Sequence, residues 1–269
     1  MRTRLITSIV LIVVLLPLLF VPSAVFFAAV AALSLIASYE FYRMVRKQDT
    51  KPLPASLFAL VVLAVYSLSA LILLGTLSEA LFFPLVLLLL IVFLAKRVFT
   101  HDVNSATLFQ GALYIGLPFA SLTYVHAQGI MALLYLLMLA MLTDVFAYFT
   151  GIRFGKHKLA PRISPKKTVE GAIGGTLIAV GIATPFALYF DLFGIGDSFS
   201  SIALVVLFSV MVSLIAQLGD LIASAFKRRY DIKDFSNLMP GHGGILDRFD
   251  STMFAATVLT LFLLLAEAI

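Results

Sequence analysis

The side chains best suited to chemistry lie in one polar run, residues 224–250, which has a long apolar segment on each side. The run contains five Lys and Arg residues, four carboxylates and a His-Gly-Gly step at residues 242–244. It is the only long polar run in a very apolar chain. Charged groups placed between two membrane-spanning segments indicate that the protein acts on a charged ligand at the membrane surface.

Four carboxylates near or inside apolar segments are candidate metal ligands. Asp144 lies toward the end of one segment and Asp220 inside another, whereas Asp247 and Asp250 stand three residues apart at the start of the last segment. A carboxylate at such a depth is costly unless it is paired or metal-bound, and Mg²⁺ is commonly held by one or two carboxylates plus substrate phosphates. We therefore expect Asp220, Asp247 and Asp250 to meet at one Mg²⁺ ion, with Asp144 as a further candidate. The alternatives are ion pairing between helices for Asp144 and Asp220, and helix capping for the other two.

A second pattern joins the apolar segment to the polar run. Asp220, Ser224, Lys227 and Asp231 are spaced four, three and four residues apart, so on one continuous helix they would share a face. That face could hold a divalent metal at one end and a phosphate beside it. The alternative is a solvated helix end with an i,i+4 ion pair, which would explain Lys227 and Asp231 but not Asp220.

Two further segments are candidate phosphate sites. Lys166 and Lys167 precede a predicted helix start at residues 168–171, and a helix N-terminus behind two lysines favours an anion. The glycines beside His242 let backbone N–H groups approach an anion. Whether that histidine contacts phosphate or only orders the loop stays open, and the two lysines could instead belong to an ordinary cytoplasmic basic loop.

Composition places the chain in a membrane. Hydrophobic residues make up 62% of the sequence and charged residues 12%, and the mean hydropathy is +1.09. A soluble domain is about half apolar and about a quarter charged. The chain has no cysteine, which excludes disulfides, thiolate nucleophiles and cysteine metal sites. There is no Ser-His-Asp order that favours acyl transfer, and the basic residues lack the distribution of a nucleic-acid surface.

The apolar segments predict an all-α, polytopic integral membrane protein with about nine transmembrane helices. The predicted spans are residues 5–21, 24–42, 55–74, 80–95, 107–125, 130–150, 169–190, 201–226 and 251–269. We expect two parts, residues 1–106 with the first four helices and a catalytic part, 107–269, with cytoplasmic loops at 152–168 and 227–250. Glycines at 171, 174, 175 and 181 would let the seventh helix pack closely on a neighbour, unless they reflect ordinary glycine enrichment.

Charge between the spans predicts the orientation. Every Lys and Arg falls on alternate flanks of the nine spans, and the other flanks have none. The positive-inside rule then places the N-terminus and the basic loops in the cytoplasm and the C-terminus outside. We expect the protein in the cell's inner membrane.

Three blocks of this sequence resemble those of a known enzyme family. The run 224–250 has the spaced Ser, Lys-Arg, Lys-Asp, Pro, His-Gly-Gly and Asp-Arg-x-Asp elements of the phosphatidate cytidylyltransferases (CDP-diacylglycerol synthases). The segments SPKKTVEG at 164–171 and DVFAYFTG at 144–151 are similar to two other blocks of that family. Met239 stands where Leu, Ile or Phe is expected, which is a conservative change.

The resemblance implies that CMP is transferred from CTP to phosphatidate, giving CDP-diacylglycerol and pyrophosphate. It implies Mg²⁺, direct in-line attack at the cytoplasmic face, and a homodimer; no nucleic acid partner is expected. The choice of CTP over ATP follows from the resemblance alone. The expected metal ligands are Asp144, Asp220, Asp247 and Asp250, and the expected catalytic residues are Asp220, Lys227, Arg228, Asp247, Arg248 and Asp250. The expected substrate-binding residues are Ser164, Lys166, Lys167, Thr168, Glu170, Ser224, Asp231, His242, Gly243 and Gly244.

Three other functions remain open on the sequence. A lipid or ion transporter could use Asp144 and Asp220 as a coupling site, although outward flanks so poor in charge do not favour this. A CTP-dependent polyprenol kinase would release CDP instead of pyrophosphate. A structural scaffold would tolerate neutral substitutions of its acids.

Overall fold

In the computed structural model, residues 13, 16–47, 54–75, 104–195 and 198–267 are described. This part of the chain forms seven long helices and one small sheet. The helices are α1 (Ser23–Arg46), α2 (Ala55–Leu73), α3 (Asn104–Ala127), α4 (Ile130–Phe154), α5 (Val169–Tyr189), α6 (Phe199–Arg229) and α7 (Leu246–Glu267). The strands are β1 (Lys158–Ala160) and β2 (Ser164–Thr168).

Within the described residues, six helices are long and apolar enough to cross a membrane, namely all of the seven except α3. Large apolar side chains lie on their outer surfaces, such as Leu60 at 61% and Leu177 at 66% exposure. Such exposed apolar surface indicates contact with lipid. The chain is therefore a membrane protein, but the predicted number of nine spans is not confirmed. The predicted span 80–95 and most of 5–21 lie outside the described residues.

Helix α6 is long enough to cross the membrane and also to extend beyond its surface. It contains 31 residues, which at about 1.5 Å per residue give roughly 46 Å. The hydrocarbon core of a bilayer is only about 30 Å thick. About three turns of α6 therefore extend beyond the hydrocarbon, and the exposed Arg228 and Arg229 at its end can reach water.

The prediction of an all-α chain needs one correction. The predicted basic loop between α4 and α5 contains an antiparallel pair of strands, with Lys158 opposite Thr168 and Ala160 opposite Ser164. Thr168 ends β2 in an extended conformation and caps α5, because its side chain accepts a hydrogen bond from the Gly171 N–H. The hairpin thus fixes where the lysines of β2 lie relative to the start of α5.

The chain divides into two compact units. The first unit comprises residues 1–127 and 229–248, and the second comprises residues 128–228 and 249–269. The predicted functional division at residue 106 stays a prediction. In the first unit, helices α1, α2 and α3 pack against one another. There the fully buried Tyr66 hydroxyl contacts Phe27 O at 2.8 Å and Thr123 Oγ1 at 3.0 Å, which joins the three helices.

In the second unit, α4 and α5 pack closely along the predicted glycines. A Cβ on Gly175 would lie 2.6 Å from the Thr143 carbonyl oxygen, and one on Gly174 would lie 2.7 Å from the side chain of Thr150. The prediction of close packing is confirmed for Gly171, Gly174 and Gly175. Gly181, further along α5, has no neighbour within 4 Å of a Cβ, so the same prediction is not confirmed at this residue.

This contrast between two glycines of one helix gives a stability prediction. We expect Gly175→Ala to lower the free energy of unfolding by about 1–3 kcal/mol, because the new methyl group must push the α4 backbone away. Gly181→Ala is the matched control and should be neutral or stabilising by up to about 1 kcal/mol, because alanine favours the helix. Thermal unfolding in detergent measures both; equal effects of the two substitutions would contradict the packing described here.

Candidate functional site

Three carboxylates from three helices lie close together in the second unit, and we call them the acidic cluster: Asp144 on α4, Asp220 on α6 and Asp250 on α7. Asp220 lies within electrostatic range of both other acids. Asp144 also accepts a hydrogen bond of 3.1 Å from the Ser251 hydroxyl, next to Asp250 in sequence. All three acids were predicted as metal ligands from the sequence, and the fold brings them near one another.

Small residues permit this approach of α6 and α7. A Cβ on Gly219 would lie 2.5 Å from the Asp250 carbonyl oxygen and 2.7 Å from the ring of Phe254. Only a glycine can therefore stand next to Asp220 at this crossing without displacing α7. The convergence of the two acids depends on this missing side chain.

Two lysines compensate the negative charge of the acidic cluster. The Lys167 ammonium forms an ion pair with Asp220 Oδ2, and each of these side chains is 25% exposed. Lys227 is almost fully buried, with 9% exposure, and lies within electrostatic range of Asp250. Both lysines were predicted to bind phosphate. The site therefore contains both carboxylates and ammonium groups, which metal-assisted phosphate chemistry uses.

A cavity of about 570 Å³ opens beside the acidic cluster within the second unit. Its charged wall includes Asp144, Asp220 and the lysines at 158, 166 and 167, and its apolar wall includes Tyr148, Ile152 and Leu159. This volume is within the range of about 300–1,000 Å³ found for small-molecule sites. A ligand that carries both phosphate and hydrocarbon would match both walls.

A chain of buried hydroxyl groups supports the cavity from the helix interior. The Gln217 amide, in the cavity wall, donates to Thr176 Oγ1 at 2.9 Å and to the Ala172 carbonyl at 3.3 Å. Ser213 links Thr176 to Thr143 through hydrogen bonds of 3.0 and 2.7 Å. Hydrogen bonds between membrane helices hold them in one arrangement. The wall is thus fixed by contacts from α4, α5 and α6.

The other predicted residues near the hairpin have mainly structural contacts. Glu170 accepts hydrogen bonds from the Lys156 and His157 amides, and its Oε1 lies 2.6 Å from His157 Nδ1. The Arg228 Nε donates to the Ile163 carbonyl at 3.3 Å, which ties the end of α6 to the hairpin. Ser164 is half-buried and Lys166 is exposed. Direct contact of Thr168, Glu170 and Arg228 with substrate stays a prediction.

The predicted polar face on α6 is shorter than the spacing indicated. The helix ends at Arg229, and Asp231 follows it with a φ of +52°, in the left-handed region. Asp231 therefore does not share a helical face with Ser224 and Lys227, and that prediction was wrong. The spacing could not reveal this, because nothing in an i,i+4 pattern marks where a helix ends.

In the first unit, the His-Gly-Gly step forms a tight turn. The His242 and Gly243 amides both donate to the Met239 carbonyl, and Gly243 has a φ of +83°. The Asp247 Oδ2 accepts hydrogen bonds from the Phe235 amide at 2.8 Å and the Gly244 amide at 2.9 Å. Asp247 thus closes the loop that precedes α7; both amides lie before the helix, so this structural role differs from the helix capping that the sequence left open. Its role as a metal ligand stays a prediction, as does the catalytic role of the exposed Arg248.

No three Asp, Glu or His side chains are arranged to hold a metal ion in the part of the chain that the structure describes. The acidic cluster supplies carboxylates from separate helices, but its charges are compensated by lysines. Sequence reasoning also missed two residues, Gln217 in the cavity wall and Glu40, a buried acid on α1. The signal that could have revealed Glu40 is an acid inside an otherwise apolar segment.

The fold and the cavity define a helical membrane protein with a charged, partly apolar ligand site. The chain belongs to the cytidylyltransferase family, whose model matches residues 2–266. It is 37% identical over 274 residues to the phosphatidate cytidylyltransferase of Bacillus subtilis (strain 168), with 98% of each chain covered. It is 33% identical over 267 residues to that of Staphylococcus haemolyticus (strain JCSC1435), covering 98% of this chain and 99% of the relative. The chain is therefore a nucleotidyltransferase, as its resemblance to the family predicted.

Proposed function

We propose that this enzyme transfers CMP from CTP to phosphatidate in the membrane, with CDP-diacylglycerol and pyrophosphate as products. The observation that carries the proposal is the cavity of the second unit, whose charged and apolar walls lie within a bundle of membrane-length helices. A lipid phosphate needs both walls, one for the headgroup and one for the start of its acyl chains. The names of the relatives supply the same substrate class.

The proposed reaction is a single in-line displacement. A phosphate oxygen of phosphatidate attacks the α-phosphorus of CTP, and the bond between that phosphorus and the bridging oxygen to the β-phosphate breaks. Pyrophosphate leaves with the electron pair. The attacking phosphate is already ionised, so no general base has to remove a proton. The protein's task is to align the two phosphates and neutralise their charge.

The lysines at the cavity are suited to this neutralisation. Lys167 is held in place by its ion pair with Asp220, and Lys166 and Lys158 line the same cavity. An ammonium group held by a partner loses little freedom when a phosphate arrives, and charge-assisted hydrogen bonds are strong. Lys227, Arg228 and Arg248 are proposed to act on the phosphates in the same way.

The acidic cluster fits a magnesium ion. Its donors are carboxylate oxygens, which hard divalent cations prefer, and Mg²⁺ usually needs only one or two of them because water and substrate phosphates complete its coordination. Asp220 with one of Asp144 and Asp250 would hold the ion, and Asp247 as a metal ligand stays a prediction. When bound, the ion would stabilise the negative charge on the phosphates and on the leaving pyrophosphate. The positive-inside rule supports a cytoplasmic N-terminus and cytoplasmic basic loops, and the homodimer stays a prediction.

A product assay with position-specific label tests the proposed function. Purified protein in detergent is given phosphatidate, Mg²⁺ and CTP labelled at either the α- or the γ-phosphorus. We expect the α-label to enter the lipid and the γ-label to appear in pyrophosphate, and we expect chelation of the divalent ion to stop both.

Each other outcome of this assay identifies a competing function. Transfer of the γ-label to a lipid, with release of CDP, would show a kinase. An intact, folded protein that labels no lipid from either CTP would reject nucleotidyl transfer to phosphatidate and favour transport.

A further inference from the structure

Glu40 is a buried acid that the proposed chemistry does not use. It is the only acidic residue of α1 and is only 2% exposed. An ionised carboxylate inside a helix bundle is strongly unfavourable unless it is fully hydrogen-bonded. The identity of its partners therefore indicates why an acid stands at this place.

All hydrogen bonds to the Glu40 carboxylate that the structure describes come from the signature loop, residues 230–245, and from the first residue of α7. Its Oε1 accepts from the Ser236 hydroxyl at 2.6 Å and from the Ile245 amide at 3.0 Å, and its Oε2 accepts from the Leu246 amide at 3.0 Å. These partners are about 200 residues away in sequence, at separations of 196, 205 and 206. Glu40 therefore joins α1 to the middle of the loop and to its end at α7.

The two glycines of the His-Gly-Gly step lie against two carboxylates. A Cβ on Gly244 would come within 2.5 Å of the Glu40 carboxyl carbon, and one on Gly243 would come within 2.7 Å of Asp247 Oδ2. Neither glycine could be replaced without moving a buried acid. The glycines thus allow anions to reach the backbone, as the sequence predicted, but the anions in the structure are the protein's own side chains.

The amides that Glu40 occupies are of the kind that attracts anions. The first N–H groups of a helix have no partner within the helix and attract anions. At α7 two such donors, from Ile245 and Leu246, are directed to Glu40. A substrate phosphate must therefore be bound by other groups, and the start of α7 serves as an anchor point.

We propose that Glu40 is a positioning residue whose carboxylate holds the signature loop and the first turn of α7 in the conformation that catalysis requires. The catalytic part of this inference rests on the proposed function. Glu40 touches no reacting atom in this role; it acts through the loop that carries His242 and through the turn that carries Asp247 and Arg248. The same loop lines a pocket of about 280 Å³, whose wall also includes Arg43 of α1 and Lys47, which follows that helix.

Hydrogen exchange tests the anchor without any substrate. In Glu40→Gln the carboxylate loses its charge and gains an NH₂ group that cannot accept from the loop. We expect the Ile245 and Leu246 amides to exchange at least about tenfold faster, as the loss of a charge-assisted hydrogen bond predicts. Ser34→Ala is the matched control, because Ser34 is buried on the same helix and donates only to the Ala31 carbonyl one turn earlier.

Activity is measured on the same variants. We expect Glu40→Gln to lower kcat about 10–100-fold with a smaller change in the KM for CTP, and Glu40→Asp to lie in between because its shorter side chain reaches the loop less well. Ser34→Ala should retain the original rate. Gly244→Ala disturbs the same contact from the loop side, so it should reproduce both the faster amide exchange and the loss of rate. Combined with Glu40→Gln it should add little, because the two changes break one contact.

Two results would overturn the inference. Unchanged exchange at Ile245 and Leu246 in both Glu40→Gln and Gly244→Ala would show that Glu40 does not hold the loop, whatever the activity. Faster exchange in Glu40→Gln together with full activity would show that Glu40 only caps the helix locally and does not position catalytic groups. If the unmodified protein forms no CDP-diacylglycerol, the proposed function fails, whereas the exchange result still decides whether Glu40 holds the loop.

Discussion

Asp220→Asn is expected to lower kcat for CDP-diacylglycerol formation by about 10²–10³-fold, the range seen when a group that stabilises transition-state charge is removed. The substitution keeps the shape of the side chain and removes its charge. Two functions are lost together, because Asp220 forms the ion pair with Lys167 and is the member of the acidic cluster that interacts with both Asp144 and Asp250. Rates are measured at saturating CTP and phosphatidate over a range of Mg²⁺ concentrations.

Asp191→Asn is the matched control for this experiment. Asp191 is an exposed residue of the second unit with a φ of +44°, which asparagine adopts as readily as aspartate. It should retain full activity. We expect Asp220→Asn to remain folded, with a Tm within about 5 °C of the original value. A folded Asp220→Asn protein with normal kcat and normal Mg²⁺ dependence would reject the catalytic role of the acidic cluster.

Lys167→Met is expected to lower kcat/KM about 10–100-fold, which corresponds to the loss of a hydrogen bond between charged groups. Methionine keeps much of the apolar stem but removes the ammonium that pairs with Asp220 in the cavity wall. The proposed partner of this ammonium is a substrate phosphate, so the KM for CTP or for phosphatidate should rise. Initial rates with each substrate varied in turn identify which phosphate is bound.

Two comparisons make the test of Lys167 specific. Arg162→Met removes an exposed cation from the turn of the same hairpin, outside the residues that line the cavity, and should leave the rate unchanged. The double variant with Asp220→Asn should be little worse than Asp220→Asn alone, because the two side chains act as one pair. Fully additive losses would show that the ion pair has no part in catalysis.

The difference between predicted and observed sites follows from the kind of information in each pattern. Asp144 and Asp220 were visible because an acid in an apolar segment stands out from its neighbours. Asp247 was equally visible, but a sequence cannot show that its Oδ2 is occupied by the Phe235 and Gly244 amides. Asp231 was misplaced because its spacing fits a helical pattern, although the helix ends at Arg229.

Local sequence by itself determined that this is a helical membrane protein with a charged site. The length of the apolar segments, the acidic residues inside them and the glycine spacing are all local features of the sequence. Its family was also visible there, in the motifs of three short blocks. Only the tertiary structure decided which acids meet, that a hairpin carries Lys167 to Asp220, and that Glu40 holds a loop some 200 residues away. Those contacts join distant segments, and their geometry depends on how closely helices pack, which no local pattern specifies.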